Sequence, residues 1–139
     1  MERILVGLDG SPNQDKVLRT AIELAQKLGA KLTLLRAVSM PIELPKAALS
    51  VEPDQVGPML VEVARQGLAE VGKAVPREIF GGFDVTLGTP WRTLVERAAA
   101  DEAQLLVIGS HGYGGLDRLL GTTAAKVVNH AGCSVLVVR

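Results

Sequence analysis

The chain has 139 residues, and fifteen Lys and Arg balance fifteen Asp and Glu, so its formal net charge at pH 7 is zero. This length fits one domain, residues 1–139, with a substantial core, and the zero balance disfavours a strongly basic nucleic-acid surface. Aromatic residues make up only 3% of the chain, too few for the stacking platforms of single-strand binders.

The N-terminal part of the chain predicts strand, helix and strand. Residues 4–8 and 31–38 are apolar runs with strand character. Between them, Ser11 is the expected N-cap of a helix, a proline occupies the first helical position, and Gln14 closes a capping box. Gly29 ends this helix, and its apolar residues share one face: Val17, Ala21, Leu24, Ala25 and Leu28.

The middle of the chain predicts a loop and a long helix. Prolines mark residues 39–53 as a loop, and the helix begins between Pro53 and Pro58. Pro76 and the pair at 81–82 break the helical pattern. Its apolar residues repeat at helical spacing: Val56, Leu60, Val63, Leu68, Val71 and Val75.

The C-terminal part predicts three strands and two helices. Residues 83–87 alternate apolar and polar side chains, which indicates a half-exposed edge strand. A Thr-Pro pair at 89–90 starts a helix, and strand 105–108, helix 122–131 and strand 135–138 follow. The buried stripe of the first of these helices is Leu94, Val95 and Ala98.

Strict alternation of five strands and four helices predicts an α/β fold of flavodoxin or Rossmann type, a five-stranded parallel sheet covered on both faces. Right-handed crossovers and the edge character of the third strand favour the order 3-2-1-4-5. Strands 1 and 4 then lie side by side where the winding reverses, and ligands of open α/β sheets bind there. Asp9 follows strand 1 and Gly109 follows strand 4.

The glycine-rich stretch 109–123 lies between a strand and a helix. It holds Gly109, Gly112, Gly114, Gly115 and Gly121. Ordinary strand-to-helix turns need one or two glycines, so five favour a phosphate cradle at a helix N-terminus. Thr122 and Thr123 can cap that helix or bind phosphate, and the two roles are compatible.

Two residues near this crevice have alternative roles. The Asp9 carboxylate could accept hydrogen bonds from ribose or adenine, hold a metal through water, or cap the turn before Ser11, and residue type alone does not decide. His111 could donate to a phosphate or lie in solvent, as loop histidines commonly do.

The sequence predicts no catalytic residue. It lacks the GxxxxGK[ST] loop, a GxGxxG after the first strand, a GxSxG elbow and any cluster with metal-ligand spacing. A single cysteine, Cys133, excludes an internal disulfide and is expected to be a small buried residue. The apolar runs are too short for a signal peptide or a membrane span, so we expect a cytoplasmic protein without membrane partners.

Nearly all of the chain resembles the universal stress proteins. The resemblance rests on ILVGLDGS, KLTLLRAV, VTLGTPWRTLVERAAADEAQLLVIGSHGYGGLDRLLGTT and CSVLVVR. It implies a flavodoxin-like sandwich and a homodimer paired through the last strand. Some family members bind ATP through G-x2-G-x9-G-[ST], and others do not bind ATP. Here Gly109, Gly112, Gly121 and Thr122 match this motif, but eight residues instead of nine separate its halves.

The same resemblance assigns the nucleoside side of the site. It implies that Asp9, flanked by Gly7 and Leu8, contacts the nucleoside, that Ala37 lies at the adenine, and that Ile108 precedes the cradle. The leading hypothesis is an ATP-binding stress or signalling module, with Mg or Mn on the nucleotide and little or no turnover. The alternatives are a slow ATPase or phosphoryl or nucleotidyl transferase, and a structural dimer that binds no ATP.

Overall fold

The computed structural model describes residues 1–40, 52–111 and 119–139. Its α/β fold has one parallel sheet in the order β3-β2-β1-β4-β5, which confirms the predicted order. The strands are β1 (Arg3–Gly7), β2 (Lys31–Val38), β3 (Phe80–Leu87), β4 (Leu105–Gly109) and β5 (Ser134–Val138). The helices are α1 (Gln14–Leu28), α2 (Val56–Gly72), α3 (Pro90–Ala100) and α4 (Thr122–His130), with a short 3-10 turn at Pro53–Gln55 before α2.

The sheet is buried on both faces. One core cluster joins the sheet to α1 and α2, around Val6, Leu34 and Leu68. The other joins it to α3 and α4, around Leu5, Leu94 and Val127. Uninterrupted apolar runs suit β1 and β4 because central parallel strands have a helix on each side. Since helices cover both faces of β1 and β4, the carboxyl ends of these strands are open only to the loops that follow them. No helix in the described ranges is long and apolar enough to span a membrane.

The start of α1 differs from the prediction. The helix begins at Gln14, and its N-cap residue Asn13 makes no side-chain cap hydrogen bond. Ser11 is buried, and its backbone N–H donates to Asp9 Oδ1 at 2.9 Å. Gln14 does reach back as a capping-box residue would, but its Oε1 accepts from the Gly10 N–H at 3.0 Å. The helix starts later than predicted because the Asp9 side chain accepts the Ser11 N–H. In a helix starting at Pro12, that N–H would have been the one bonded by the capping-box residue Gln14.

Two further predictions were wrong in detail. The glycine pair 81–82 lies inside β3, where Gly82 has a φ of 106° and the β2–β3 register shifts between Leu32 and Leu34. Glycine in a strand often marks such a bulge, so the glycines shape the strand instead of preceding it. Val63 is 66% exposed, because the packed face of α2 follows positions 57, 61, 64, 68 and 72.

An ion-pair cluster ties the edge strand β3 to α3. Arg97 Nη1 lies 2.7 Å from Asp84 Oδ2, and its Nε donates to the Asp101 carboxylate at 2.9 Å. Partial burial disfavours the charged Asp84 carboxylate. The Arg97 hydrogen bond and charge, with a backbone bond from Val85 and the charge of Arg65, outweigh that effect and lower the pKa of Asp84 below its usual 3.8.

We expect Arg97→Gln to lower the free energy of unfolding at neutral pH by about 1 kcal/mol or less, since both partners are partly solvated. The Asp84 contribution is complete above pH 3.8 and is lost as the pH falls through the lowered native pKa. The free energies of unfolding of the unmodified protein and of Arg97→Gln, measured with urea, should therefore differ at neutral pH and become equal in acid. Lys73→Gln, which removes an exposed pair with Glu70, is the control. A difference for Arg97→Gln that is unchanged in acid would contradict this assignment.

Candidate functional site

A cavity of about 220 Å³ lies at the carboxyl ends of β1 and β4. Every predicted site residue within the described ranges lines it, and Gly112 lies outside those ranges. The cavity therefore brings together residues that are a hundred positions apart in sequence. These are Gly7, Leu8, Asp9, Ala37, Ile108, Gly109, His111, Gly121, Thr122 and Thr123.

One side of the cavity is apolar. Leu35 and Ala37 of β2, Ile108 of β4 and Leu94 of α3 contribute to it. Gly7 keeps this side open, because a Cβ at that position would come within 2.7 Å of Leu94 Cδ2. The slot offers van der Waals surface and no charge, which suits an uncharged planar ring better than a sugar or phosphate.

Asp9 lies at the rim of the cavity, with its side chain exposed. One carboxylate oxygen accepts the Ser11 N–H, so the turn-capping role exists in the structure. A carboxylate has about four acceptor positions in all, and this bond uses one of them. The carboxylate can therefore hold the turn and accept hydrogen bonds from a ligand at the same time.

The N-terminus of α4 closes the cavity on the opposite side. Its N-cap residue Gly121 is extended and makes no side-chain cap hydrogen bond. The Gly121 N–H donates to Ser110 O at 2.8 Å, and the Gly121 carbonyl accepts the first helical bond from Ala125. The next backbone N–H groups, those of Thr122 and Thr123, belong to the turn where a helix has no internal acceptors. They give this wall a positive partial charge that favours an anion.

The His111 ring bridges two segments of backbone at the neck of the glycine-rich stretch. Its Nε2 contacts the carbonyl oxygen of Leu119, and its Nδ1 lies 3.0 Å from the hydroxyl of Ser110. Because a carbonyl only accepts, Nε2 is the donor in the contact with Leu119. His111 therefore lines the cavity as a structural link, and a phosphate would have to compete with Leu119 for its N–H.

Sequence reasoning missed four polar residues that line the cavity: Ser11 and Gln14, which it assigned only to helix capping, and Asn13 and Ser110. Asn13 Nδ2 lies 3.5 Å from where a Cβ of Gly109 would be, so the α1 N-terminus also faces the cavity. Ser110 is only 2% exposed. The available sequence signal was an asparagine directly before the helix. Because the cap was assigned to Ser11, Asn13 was not considered as a residue of the site.

The described residues contain no group of three or more His, Cys, Asp or Glu that could hold a metal ion by themselves. The side chains that line the cavity do include oxygen donors, among them the Asp9 carboxylate and the hydroxyls of Thr122 and Thr123. Such a set suits a hard cation that keeps most of its waters and shares phosphate oxygens with the protein.

Cys133 is half-buried against the core that α3 and α4 cover. Burial raises the pKa of its thiol, although backbone hydrogen bonds partly oppose this. The thiol is therefore kept protonated at neutral pH, which fits the packing role that its position predicts.

Comparison with known proteins gives one consistent result. A model of the universal stress protein family matches residues 1–139. Universal stress protein A homolog 2 of Coxiella burnetii is 32% identical over 140 residues, which cover 99% of this chain and 94% of that protein.

Solved structures agree with this match. The universal stress protein UspA from Lactobacillus plantarum has a TM-score of 0.80 at 25% identity, covering 99% of this chain and 97% of that one. A universal stress protein crystallised in complex with cAMP has a TM-score of 0.64 at 25% identity, over the same shares. The chain therefore belongs to the universal stress protein family.

Proposed function

We propose that this protein is a cytoplasmic, single-domain adenine-nucleotide-binding module, with ATP as the leading ligand and little or no turnover. The observation that carries the proposal is the convergence of three unlike walls on one cavity. An apolar slot, the Asp9 carboxylate and the uncapped start of α4 match a base, a ribose and a phosphate chain in turn.

The dimensions support an assignment of each ligand part. About 220 Å³ is smaller than the roughly 300–1,000 Å³ of pockets that enclose whole drug-sized ligands. The base and ribose would occupy the slot beside Ala37, and the phosphates would extend along Thr122 and Thr123 toward solvent. The cAMP complex of a family member supports an adenine nucleotide as the ligand class.

Low turnover follows from the groups near the proposed phosphate position. Of the described residues that line the cavity, Asp9 and His111 are the ones that commonly act as general bases. Asp9 is assigned to the ribose and not to the phosphates, and both ring nitrogens of His111 already have partners in Ser110 and Leu119. The nucleotide would carry Mg or Mn on its phosphates, with the hydroxyls of Thr122 and Thr123 as the nearest oxygen donors of the described residues. When bound, that cation would neutralise phosphate charge.

Isothermal titration calorimetry with ATP, cAMP and GTP, each with and without Mg²⁺, tests the proposal. We expect adenine nucleotides to bind with one site per chain and GTP to bind more weakly. Mass spectrometry of the purified native protein would identify the retained nucleotide. If no adenine nucleotide gives binding heat, the structural dimer that binds no ATP becomes the better hypothesis. ADP release above that of a Gly121→Val control would favour the ATPase.

Two substitutions of Asp9 separate its two roles. Asp9→Asn keeps an oxygen that can accept the Ser11 N–H but removes the charge, so affinity should fall while apo stability is nearly unchanged. Asp9→Ala should lose affinity worth about 1–3 kcal/mol and also destabilise the apo protein, because the Ser11 donor is then unpaired and buried. Calorimetry and thermal unfolding measure the two effects. Full ATP affinity in both variants would remove Asp9 from the site.

We also propose a homodimer formed through β5. This strand is at the sheet edge, paired on one side only within the described chain. Its residues Val135, Leu136 and Val137 are partly exposed, and an apolar edge strand with unpaired backbone groups favours pairing with another strand. A two-fold axis would satisfy both copies.

A further inference from the structure

The guanidinium of Arg36 lies directly behind the loop that carries Asp9. Its Nε donates to the backbone carbonyl of Leu8 at 3.1 Å. Its Nη2 donates to Gln14 Oε1 at 2.5 Å. Gln14 Oε1 also accepts the Gly10 N–H at 3.0 Å. One side chain of β2 thus holds both ends of the loop, and the Gln14 bond extends that hold to its middle.

Gly10 allows this close approach. Its φ of 77° lies in the left-handed region that favours glycine. A Cβ at Gly10 would lie 3.6 Å from Arg36 Cζ, so the guanidinium packs against the loop backbone. Asp9 stands between the two anchored positions, Leu8 and Gly10, and its carboxylate direction follows from where they are held.

Arg36 does not belong to the cavity wall. Its neighbours Leu35 and Ala37 line the cavity, and successive side chains of a strand point to opposite faces of the sheet. Arg36 therefore points to the other face, where its Nη1 lies 3.6 Å from where a Cβ of Gly67 on α2 would be. Any effect of Arg36 on a ligand has to pass through the loop or through Gln14, which lines the cavity.

We propose that Arg36 is a positioning residue that presets the Asp9 loop for the nucleoside. The inference rests on the proposed nucleotide site. Arginine suits the task because its rigid fork donates in two directions at once, to Leu8 and to Gln14. The single ammonium of a lysine cannot reproduce that geometry. An unclamped loop would sample orientations of Asp9 that do not face the ribose, and binding would have to select among them.

A double-mutant cycle tests whether Arg36 acts through Asp9. Arg36→Met keeps the aliphatic stem and removes the donors, and we expect it to weaken ATP binding about fivefold to twentyfold. In the Asp9→Asn background the same substitution should cost less than about twofold, because the residue it positions has already lost its charge. Arg65→Met, which alters a cation of α2 that contacts Asp84, is the matched control and should bind normally.

A second measurement tests, in the absence of ligand, whether Arg36 holds the Asp9 loop in place. In the apo protein, the amides of Gly10 and Ser11 should exchange with deuterium faster in Arg36→Met than in the unmodified chain, while the amide of Val6 in β1 should not. Arg36→Lys should give intermediate exchange. Gln14→Ala removes one of the two bonds and replaces Arg36→Met if that variant does not fold.

The outcomes separate the two proposals. If the unmodified protein binds ATP, then normal affinity of Arg36→Met overturns the positioning role, and so do equal losses in the two Asp9 backgrounds. If the unmodified protein binds no adenine nucleotide, the proposed function fails, and the exchange rates alone decide whether Arg36 clamps the loop. Unchanged exchange at Gly10 and Ser11 overturns the clamp in either case.

Discussion

Gly121→Val is expected to weaken ATP binding by a factor of roughly 10 to 100, which corresponds to about 1.4–2.8 kcal/mol. The backbone of Gly121 has φ −63° and ψ 164°, which any residue can adopt, so the effect is not strain. It is steric, because a Cβ there would lie 3.2 Å from Ser110 O, a tight contact to which valine adds two methyl groups. Ser110 O is a backbone atom, which cannot move aside as a flexible side chain can.

The Cβ introduced at position 121 would disturb the proposed phosphate site at the start of α4. Displacing Ser110 O would distort the bond that it accepts from the Gly121 N–H at 2.8 Å and would shift the start of α4. The N–H groups of Thr122 and Thr123 would then no longer face the same point. Gly121→Ala introduces the same Cβ without the two methyl groups, so its loss of affinity should be smaller.

Gly132→Val is the matched control for this experiment. A Cβ at Gly132 would meet no atom within 4 Å, and the residue has no left-handed φ. Calorimetry should give normal ATP affinity for this control and a clear loss for Gly121→Val, with both proteins folded by circular dichroism. Equal affinities in the two variants would mean that the start of α4 does not bind the nucleotide.

The sheet order could be predicted because its signals are redundant. The apolar runs of β1 and β4 and the alternation in residues 83–87 each restrict the same topology, and no single residue decides it. Details that depend on one competing hydrogen bond could not be predicted in this way. The observed start of α1 differs from the predicted one because Asp9 accepts the Ser11 N–H. The observed β3 is longer than the predicted strand because Gly82 lies at a register shift inside the strand and does not end the preceding segment.

The cavity could be located from sequence for a similar reason. The switch point of the sheet and the glycine-rich stretch after β4 indicate the same place, and the resemblance added residues of β1 and β2. Pairwise contacts remained out of reach. Nothing in the sequence says that His111 joins Ser110 to Leu119, or that Arg36 of β2 reaches Leu8 and Gln14 in the segment that follows β1. Such contacts depend on rotamers that are fixed only once the loops are packed.

The backbone of β5 allows a sharp test of the proposed homodimer. The Val138 carbonyl accepts the Ser110 N–H at 2.8 Å, so the backbone groups of Val138 face β4. Backbone N–H and C=O groups of successive strand residues point to opposite sides within the sheet. Those of Leu136 therefore face β4 as well, and those of Val135 and Val137 face the open edge.

Val137→Pro should convert the dimer to a monomer. Proline removes the N–H at position 137 and places its ring in the path of a partner strand, but the bonds to β4 come from Leu136 and Val138 and remain. Leu136→Pro is the contrasting variant. It deletes a donor of the β4–β5 ladder and should destabilise the C-terminal part of the sheet more than Val137→Pro does.

Light scattering at tens of micromolar protein would give the mass of each species. We expect twice the chain mass for the unmodified protein and the single mass for Val137→Pro, with its thermal unfolding still cooperative. Val137→Thr keeps the edge N–H and should remain dimeric, which excludes loss of the side chain as the cause. A monomer mass for the unmodified protein would rule out the dimer. A dimer that persists in Val137→Pro would place the interface elsewhere, because the open edge of β5 is then no longer a competent pairing surface.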